Sequence, residues 1–333
     1  MIKNCSFCLI CLIYIFTSCK NEKTNVPLQN NGDQALEVFN KAIESDSLDH
    51  NALYERANYY YEQENFDASI EDLKKALKIE RTDYKYYHLL SDVYLDYYRS
   101  KDALQTMESC VHFIPQFIPS LLKLSETQII LKQYDQSLLT VNKILTLDDQ
   151  NAEAYFMMGM NYRSLKDNSR AINSFQMATE LDPELIDAWM ILGELFEELK
   201  NPIAVKYYDA AIDLQPENPI TYHSKAFYLQ NNNQIDEALE VYRKINLIDK
   251  NYEDAYLNAG ILYYTLDSFP QAFEQFNILA NIKPQNYLAY FYRGMSNKAL
   301  NKIEAAKSDL NNCLNLNPDF TKAKQALDLL SSN

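Results

Sequence analysis

The chain has 333 residues and a formal net charge of −15, and hydrophobic residues make up 47% of it. This composition allows a sizeable core and argues against a disordered chain. Only five glycines occur beside 26 tyrosines, which disfavours folds built on glycine loops, such as dinucleotide-binding and P-loop domains. The excess of acidic residues disfavours nucleic-acid binding, because phosphate contacts need clustered Lys and Arg.

The first residues carry the pattern of a signal peptide. Lys3 precedes a twelve-residue apolar run from Cys5 to Phe16, which is too short to span a bilayer as a mature helix. The run ends in Phe16-Thr17-Ser18-Cys19, which resembles a bacterial lipobox with Phe in place of the usual Leu. The resemblance implies removal of residues 1–18 and attachment of lipid, such as palmitate, at Cys19. The alternative is a plain secretory signal with an incidental cysteine. The polar residues 19–32 are then expected to form a flexible tether.

A repeat of 34 residues follows. Small residues recur at steps of 34, with a single step of 33, at Ala57, Ser91, Ser125, Gly159, Gly193, Ala226, Gly260 and Gly294. A large residue lies four positions earlier each time, a second small residue is common twelve positions later, and Pro often closes the unit. Offsets of three, four and seven share one helical face, so each repeat is predicted to be two amphipathic helices. One such hairpin cannot bury its apolar face alone, but a stack can.

This pattern resembles the tetratricopeptide repeat (TPR) family over about residues 50–319. The resemblance implies an all-α solenoid, wound as a right-handed superhelix, with eight repeats in that range. We place their first residues at His50, Tyr84, Ile118, Ala152, Ile186, Pro219, Glu253 and Tyr287. Residues 33–49 fit the second helix of a partial repeat, and residues 320–333 fit a C-terminal cap helix. The fifth repeat is one residue short, with its second helix predicted to restart at Pro202. The third repeat has Gln128 and Ile144 at the usual Tyr and Ala positions, so looser packing is expected there.

The sequence offers no catalytic, metal or cofactor site. Four glycines are explained as helix contacts, and the four histidines are scattered over distant repeats. No nucleophile motif, zinc motif or glycine-rich loop occurs. Acidic pairs such as Glu197-Glu198 are best interpreted as solvated faces. Cys110 and Cys313 occupy the same small buried slot six repeats apart, so they are expected to be buried thiols rather than a disulfide. We therefore expect a protein that is not an enzyme.

The TPR resemblance implies that the first helix of each repeat lines an inner groove, which binds extended peptides or helices of partner proteins. Repeat positions 2, 5, 6, 9, 12 and 13 form this face. In repeats one to five it is rich in acids, and in repeats six to eight it is apolar. The predicted groove residues are Glu55, Asp92, Glu126, Glu194, Glu197, Phe227, Tyr264, Phe291 and Tyr292. The alternative is that the acids are a solvated face and the aromatics are covered by neighbouring repeats. The clamp that chaperone-binding TPRs use for a terminal carboxylate is absent, with Tyr54, Leu89 and Leu122 at the places it needs.

These features predict a membrane-anchored scaffold of a bacterial envelope, lipid-linked at Cys19, at the outer membrane and on its periplasmic or surface side. Its expected partners are protein or peptide segments. Two alternatives remain open at this point. One is a glycan-binding lipoprotein that partners an outer-membrane transporter, which the single Trp and the regular repeats disfavour. The other is a noncatalytic subunit that activates an envelope enzyme.

Overall fold

The computed structural model describes residues 32–331. Within that range the regular secondary structure consists of 18 α-helices, with no strand. The helices are α1 Gly32–Ser45, α2 His50–Glu62, α3 Phe66–Ile79, α4 Tyr84–Asp96, α5 Ser100–Phe113, α6 Ile118–Ile130, α7 Tyr134–Leu147, α8 Ala152–Ser164, α9 Asn168–Leu181, α10 Ile186–Glu198, α11 Ala204–Leu214, α12 Pro219–Asn231, α13 Ile235–Ile248, α14 Glu253–Thr265, α15 Phe269–Ile282, α16 Tyr287–Ala299, α17 Ile303–Leu316 and α18 Thr321–Ser331. The predicted signal peptide, the lipid site Cys19 and the tether up to residue 31 lie outside the described residues. Gly32 is the first residue of α1 rather than the end of the tether.

Helices α2 to α17 form eight hairpins in chain order. The first helix of each hairpin begins at the residue where the sequence places a repeat, from His50 to Tyr287. Polar residues cap several of these helices. The side chains of Asp49, Asn151 and Asn286 each accept a hydrogen bond from the N–H three residues ahead. None of the helices in residues 32–331 is both long and apolar enough to cross a bilayer.

A left-handed residue lies two positions after the end of the first helix in every hairpin. Positive φ values of 54° to 61° occur at Glu64, Tyr98, Lys132, Lys166, Lys200, Asn233, Asp267 and Asn301. In each turn the next N–H donates to the carbonyl five residues back, at 2.7–2.9 Å, as in Asn65 to Tyr60. This hydrogen bond is typical of a helix C-terminus at which the residue before the donor is left-handed. Glycine usually fills such a position, and here eight other residues do, so the sequence pattern did not reveal the turn.

Small residues bring the two helices of a hairpin together. An ideal Cβ at Gly159 would lie 2.7 Å from the Phe175 ring, at Gly193 2.5 Å from Tyr208, and at Gly260 2.6 Å from Phe276. Real Cβ atoms do not approach other atoms so closely, so these rings occupy the space that a side chain would need. The sequence prediction of helix contacts at these glycines is confirmed.

The fifth hairpin differs from the sequence expectation. Its second helix begins at Ala204, not at Pro202, and has 11 residues where most second helices have 14. Asn201 explains the later start. Its side chain accepts from the N–H of Ile203 at 3.0 Å, and its carbonyl accepts from Ala204 at 3.1 Å, which closes a tight three-residue turn first. The missing residue is therefore absorbed in the turn, and the buried side of α11 stays in register.

The third repeat is closely packed, which contradicts the expectation of looseness. Gln128 is buried and accepts a hydrogen bond from Thr140 at 2.9 Å, and Ile144 is fully buried. Ser125 and Ser137 bond at 2.8 Å at two positions where most other repeats have Gly or Ala. A polar but largely satisfied core has replaced the apolar one at this point.

Two buried ion pairs share one spacing. Arg56 donates two hydrogen bonds to Asp72, at 2.7 and 2.9 Å, and one to Asn40 at 2.8 Å. Arg293 binds Asp309 and Asn277 in the same way. In both sets the asparagine lies 16 residues before the arginine and the aspartate 16 residues after it. These residues tie three successive helices together in the first and the last full repeat, and sequence analysis missed them.

The chain divides into two compact units, residues 32–188 and residues 189–331, with the boundary inside α10. Both have a core of residues from successive hairpins, centred for example on Leu73 and Val93 in the first unit and on Tyr208 and Tyr242 in the second. Helix α18 covers the last hairpin of the second unit through Ala323, Ala326 and Leu330.

Candidate functional site

The candidate site is the face of the first helices that does not pack on the second helix of the same hairpin. It is described separately for the two units. In the first unit this face belongs to α2, α4, α6 and α8, and it contains three of the predicted groove residues, Glu55, Asp92 and Glu126. Glu55 is exposed, whereas Asp92 and Glu126 belong to a cluster.

The cluster is centred on Lys123, whose side chain is 20% exposed. Its ammonium group contacts the carboxylate of Asp92 and lies 3.7 Å from that of Glu126. Burial raises the pKa of both carboxyl groups, with Lys123 opposing the shift. Burial also disfavours the charge on Lys123, but the two carboxylates outweigh it and raise the pKa of the lysine. Asp92 and Glu126 are therefore already paired inside the protein and offer less free charge than the sequence count indicates.

Two further groups border this cluster. His88 lies with its Nε2 2.9 Å from the Ser120 hydroxyl, and burial, followed by the charge of Lys123, lowers its pKa to about 4. It is thus uncharged at neutral pH. The Tyr61 hydroxyl donates to Asp96 at 2.5 Å, and burial raises the pKa of that tyrosine. Sequence analysis missed His88, although it recurs at the same repeat position as His223.

In the second unit the face belongs to α12, α14, α16 and the part of α10 from residue 189. Phe227 is 46% exposed and Ile220, seven residues before it on the same face of α12, is 60% exposed. Tyr264 is half-buried, with its ring 5.4 Å from that of Phe269. Tyr292 is also half-buried and stacks on Phe276 at 5.2 Å. Of the four predicted aromatics, Phe227 is the one most open to a partner.

Three further predicted groove residues of the second unit have structural partners. Phe291 is only 8% exposed, because its ring packs edge-on against Phe320, 5.0 Å away, and against Tyr292. Phe291 is therefore much less accessible to a partner than Phe227. Glu197 accepts a hydrogen bond from the Tyr208 hydroxyl at 2.8 Å, and Glu194 is half-buried and also engaged within the protein.

A hydrogen-bonded histidine lies one turn before Phe227. His223 Nδ1 is 2.8 Å from the Tyr252 hydroxyl, and its Nε2 is 3.4 Å from the amide of Asn258. Burial lowers the pKa of His223, while Asp254 opposes the shift. This network joins α12 to the next hairpin and fixes the helix surface that carries Phe227.

The described residues contain few groups of the kinds that catalyse reactions. Over residues 32–331 no group of three His, Cys, Asp or Glu side chains is placed to hold a metal ion. Cys110 and Cys313 are free and buried, and burial raises the pKa of both thiols, to about 11 for Cys313. Such thiols are poor nucleophiles near neutral pH.

Comparison with known families gives matches to tetratricopeptide repeat models in four segments, residues 29–84, 152–185, 207–240 and 287–320. Two of the segments begin at the first residues of α8 and α16.

Curated relatives are distant and longer. The Hsp70-Hsp90 organizing protein of Triticum aestivum is 23% identical over 255 residues, which cover 76% of this chain and 39% of that protein. The mitochondrial import receptor subunit TOM70 of Homo sapiens is 23% identical over 260 residues, which cover 77% of this chain and 38% of that protein. The chain thus spans about two fifths of the length of these relatives.

Solved structures with similarity include the MamA protein, with a TM-score of 0.46 and 19% identity over 51% of this chain and 94% of that one. Another is YrrB, described as a TPR protein with an unusual peptide-binding site, with a TM-score of 0.42 and 25% identity over 57% of this chain and 98% of that one. The family matches and the eight hairpins at the predicted residues lead to one conclusion. The described residues form an all-α array of helical hairpins, and four segments of the chain match tetratricopeptide repeats.

Proposed function

We propose that this protein is a non-enzymatic scaffold that binds segments of partner proteins on its first-helix face, and that lipid at Cys19 anchors it in a bacterial envelope. The repeats support the first part, and so do the names of two relatives, one an organizing protein for two chaperones and the other an import receptor subunit. The lipobox-like sequence before Cys19 supports the second part.

One observation carries the binding proposal. Phe227 and Ile220 expose apolar surface on α12, although the same helix also buries Thr221, Ala226, Tyr228 and Leu229. Exposed aromatic and aliphatic side chains on one helix face form an apolar surface that becomes buried when an apolar side chain of a partner packs on it. The half-buried Tyr264 lies on the same type of face in α14 and extends the apolar character within the second unit.

The first unit contributes a different chemistry. Glu55 and Glu62 are exposed on α2, and the pairing of Lys123 with two acids leaves that cluster with an excess of one carboxylate. Exposed acids attract basic segments over several ångströms in a salt-dependent way and speed encounter more than they add affinity. The proposed partners therefore present basic residues to the first unit and apolar anchors to the second.

The binding proposal is tested by affinity capture from solubilised envelopes with quantitative mass spectrometry. Phe227→Ala is expected to reduce recovery of the partner at all salt concentrations, because it removes an apolar contact. Leu247→Ala is the matched control, since Leu247 is 64% exposed on the second helix α13. Equal recovery with both variants would show that the partner does not use the first-helix face.

The anchor proposal has its own test. Replacing Cys19 with Ala removes the only thiol at the lipobox-like site, so the variant is expected to lose metabolic labelling with a palmitate analogue and to leave the membrane fraction. Cys110→Ala is the control, because Cys110 is fully buried in a hairpin core. A Cys19→Ala protein that still labels and still sediments with membranes contradicts the anchor.

A further inference from the structure

An open cleft of about 540 Å³ lies in the second unit, where α11, α12 and α13 meet. Three aliphatic side chains form its deeper lining. Leu229 is buried, and Val205 and Val241 are half-buried. Ligand sites in proteins have volumes of about 300–1,000 Å³ and mostly apolar walls. The cleft is therefore large enough for one long side chain and part of the backbone that carries it.

The exposed edge of this cleft is acidic. Asp236, Glu237 and Glu240 line it from the first two turns of α13. Glu240 pairs with Arg243 at 2.7 Å, whereas Asp236 and Glu237 form no ion pair within residues 32–331. Their two charges are thus available to attract a cation that enters the cleft.

A second cleft, two hairpins later, shows why the first one is open. It measures about 340 Å³, and all of its lining residues lie two repeats, or 68 positions, after lining residues of the first cleft. Phe273 stands there in place of Val205, and Lys302 in place of Gln234. The Lys302 ammonium group lies 5.4 Å from the centre of the Phe273 ring. The ring and the lysine therefore occupy space that Val205 and Gln234 leave empty.

The lysine that lines the first cleft is already paired. Lys225 occupies the place of Arg293, which binds Asp309 in the second cleft. Val241 stands at the position of Asp309, and the Lys225 ammonium group pairs instead with Asp209, 2.5 Å away on α11. Because Asp209 balances Lys225, this lysine does not compensate the acids of α13.

The negative edge is particular to the first cleft. Ala305 and Ser308 occupy the places of Glu237 and Glu240 in the second cleft. Among the second helices of the eight hairpins, α13 alone has two acids in its first turn. One acid suits the positive end of a helix. The other helices begin with one acid or none, so a helix start alone does not require the second.

We propose that this cleft binds an arginine side chain of a partner segment. The aliphatic part of the arginine packs on the three aliphatic residues, and its guanidinium group faces the carboxylates of Asp236 and Glu237. Arginine suits the site better than lysine, because its planar guanidinium group is less strongly hydrated and donates to more than one carboxylate. The carboxamide of Gln234, also at the edge, offers a hydrogen bond to the partner backbone.

This site is separate from the first-helix face. Lys225 and Leu229 line the cleft on the side of α12 that meets α13, which is the second helix of the same hairpin. The proposal therefore stands whether or not a partner also packs on Phe227.

The test follows the methyl groups that line the cleft. Methyl NMR spectra of the full chain with labelled Leu and Val report on Val205, Leu229 and Val241. The probe is N-acetyl-arginine N-methylamide, and N-acetyl-citrulline N-methylamide is its uncharged analogue of similar shape. We expect saturable shifts of these methyl signals with a Kd on the order of 1 mM for the arginine probe, and binding about fivefold weaker for the citrulline probe.

A pair of charge variants tests the acidic edge. Asp236→Asn with Glu237→Gln is expected to weaken binding of the arginine probe about fivefold, because it removes the charges that face the guanidinium group. Glu274→Gln with Glu304→Gln is the matched control and is expected to leave binding unchanged. Both control residues are exposed acids on second helices of the same unit, and the change in net charge is equal.

A third variant tests the apolar part of the cleft. Val205→Phe introduces the residue that Phe273 supplies in the second cleft, so it is expected to fill the space and to abolish the shifts at Leu229 and Val241. Methyl signals far from the cleft show whether this variant is folded. If it is not, the charge variants still test the proposal.

Four results would overturn the proposal. They are absence of saturable shifts at tenfold the expected Kd, equal binding of the arginine and citrulline probes, equal loss in both charge variants, and shifts confined to methyl groups outside the cleft. Butylguanidinium tests a free small cation as the occupant. It lacks a peptide backbone, so we expect it to bind more weakly than the arginine probe. Equally tight binding would assign the cleft to a free cation and contradict a partner segment.

Discussion

At the scale of single residues, a left-handed backbone conformation recurs after each first helix. Each first helix is followed, two positions after its last residue, by a left-handed residue, and none of these eight residues is a glycine. L-amino acids with a side chain lose about 1–2 kcal/mol in this conformation, while Asn and Asp tolerate it better. Three of the eight residues are Asn or Asp and three are Lys, so the backbone strain differs from turn to turn.

This difference gives a stability prediction. Lys132→Gly is expected to raise the free energy of unfolding by about 0.5–1 kcal/mol, because glycine relieves the strain and only part of the gain is lost to the more flexible unfolded chain. Asn301→Gly is the control, with a smaller expected gain. Equilibrium urea unfolding of both variants measures the effect. A gain at Asn301 as large as that at Lys132 would show that strain is not the cause.

Contacts between helices depend on side-chain volume at a few positions. Gly193→Leu forces a side chain into the Tyr208 ring, which is 1% exposed and has no room to move, so a loss of about 1–3 kcal/mol is expected. Gly294→Ala is the control. Its Cβ would lie 3.1 Å from Asp309 Cβ, and the better helix propensity of Ala offsets this mild crowding. Thermal unfolding followed by circular dichroism distinguishes the two, and an unchanged profile for Gly193→Leu would contradict the helix contact.

Much of the element order follows from the sequence, because the spacing of small and large residues specifies which helix faces meet. The first residues of the eight hairpins could be placed in this way. The start of α11 could not, because the hydrogen bonds of Asn201 compete with the favourable first-turn position of Pro202. The left-handed turns carry no glycine, so the sequence did not predict their backbone conformation.

The candidate site was less predictable than the fold, since exposure depends on neighbours that are distant in sequence. Phe291 has the repeat position of a groove residue, yet Phe320 from the turn before α18 covers it. Asp92 and Glu126 count as free acids in the sequence, yet Lys123 lies between them. The paired Arg56 and Arg293 networks were missed because each joins three helices through residues 16 apart.

At the scale of the whole molecule, the described helices pack mainly on those that adjoin them in the chain. The loops closed by these contacts are short, so little chain entropy is lost before native contacts form. A hairpin can therefore pack as soon as it and its predecessor have been made, while later hairpins are still being synthesised. Folding can then proceed from the N-terminus before distant segments have been synthesised. A partly synthesised chain exposes only one unpacked helix face at a time.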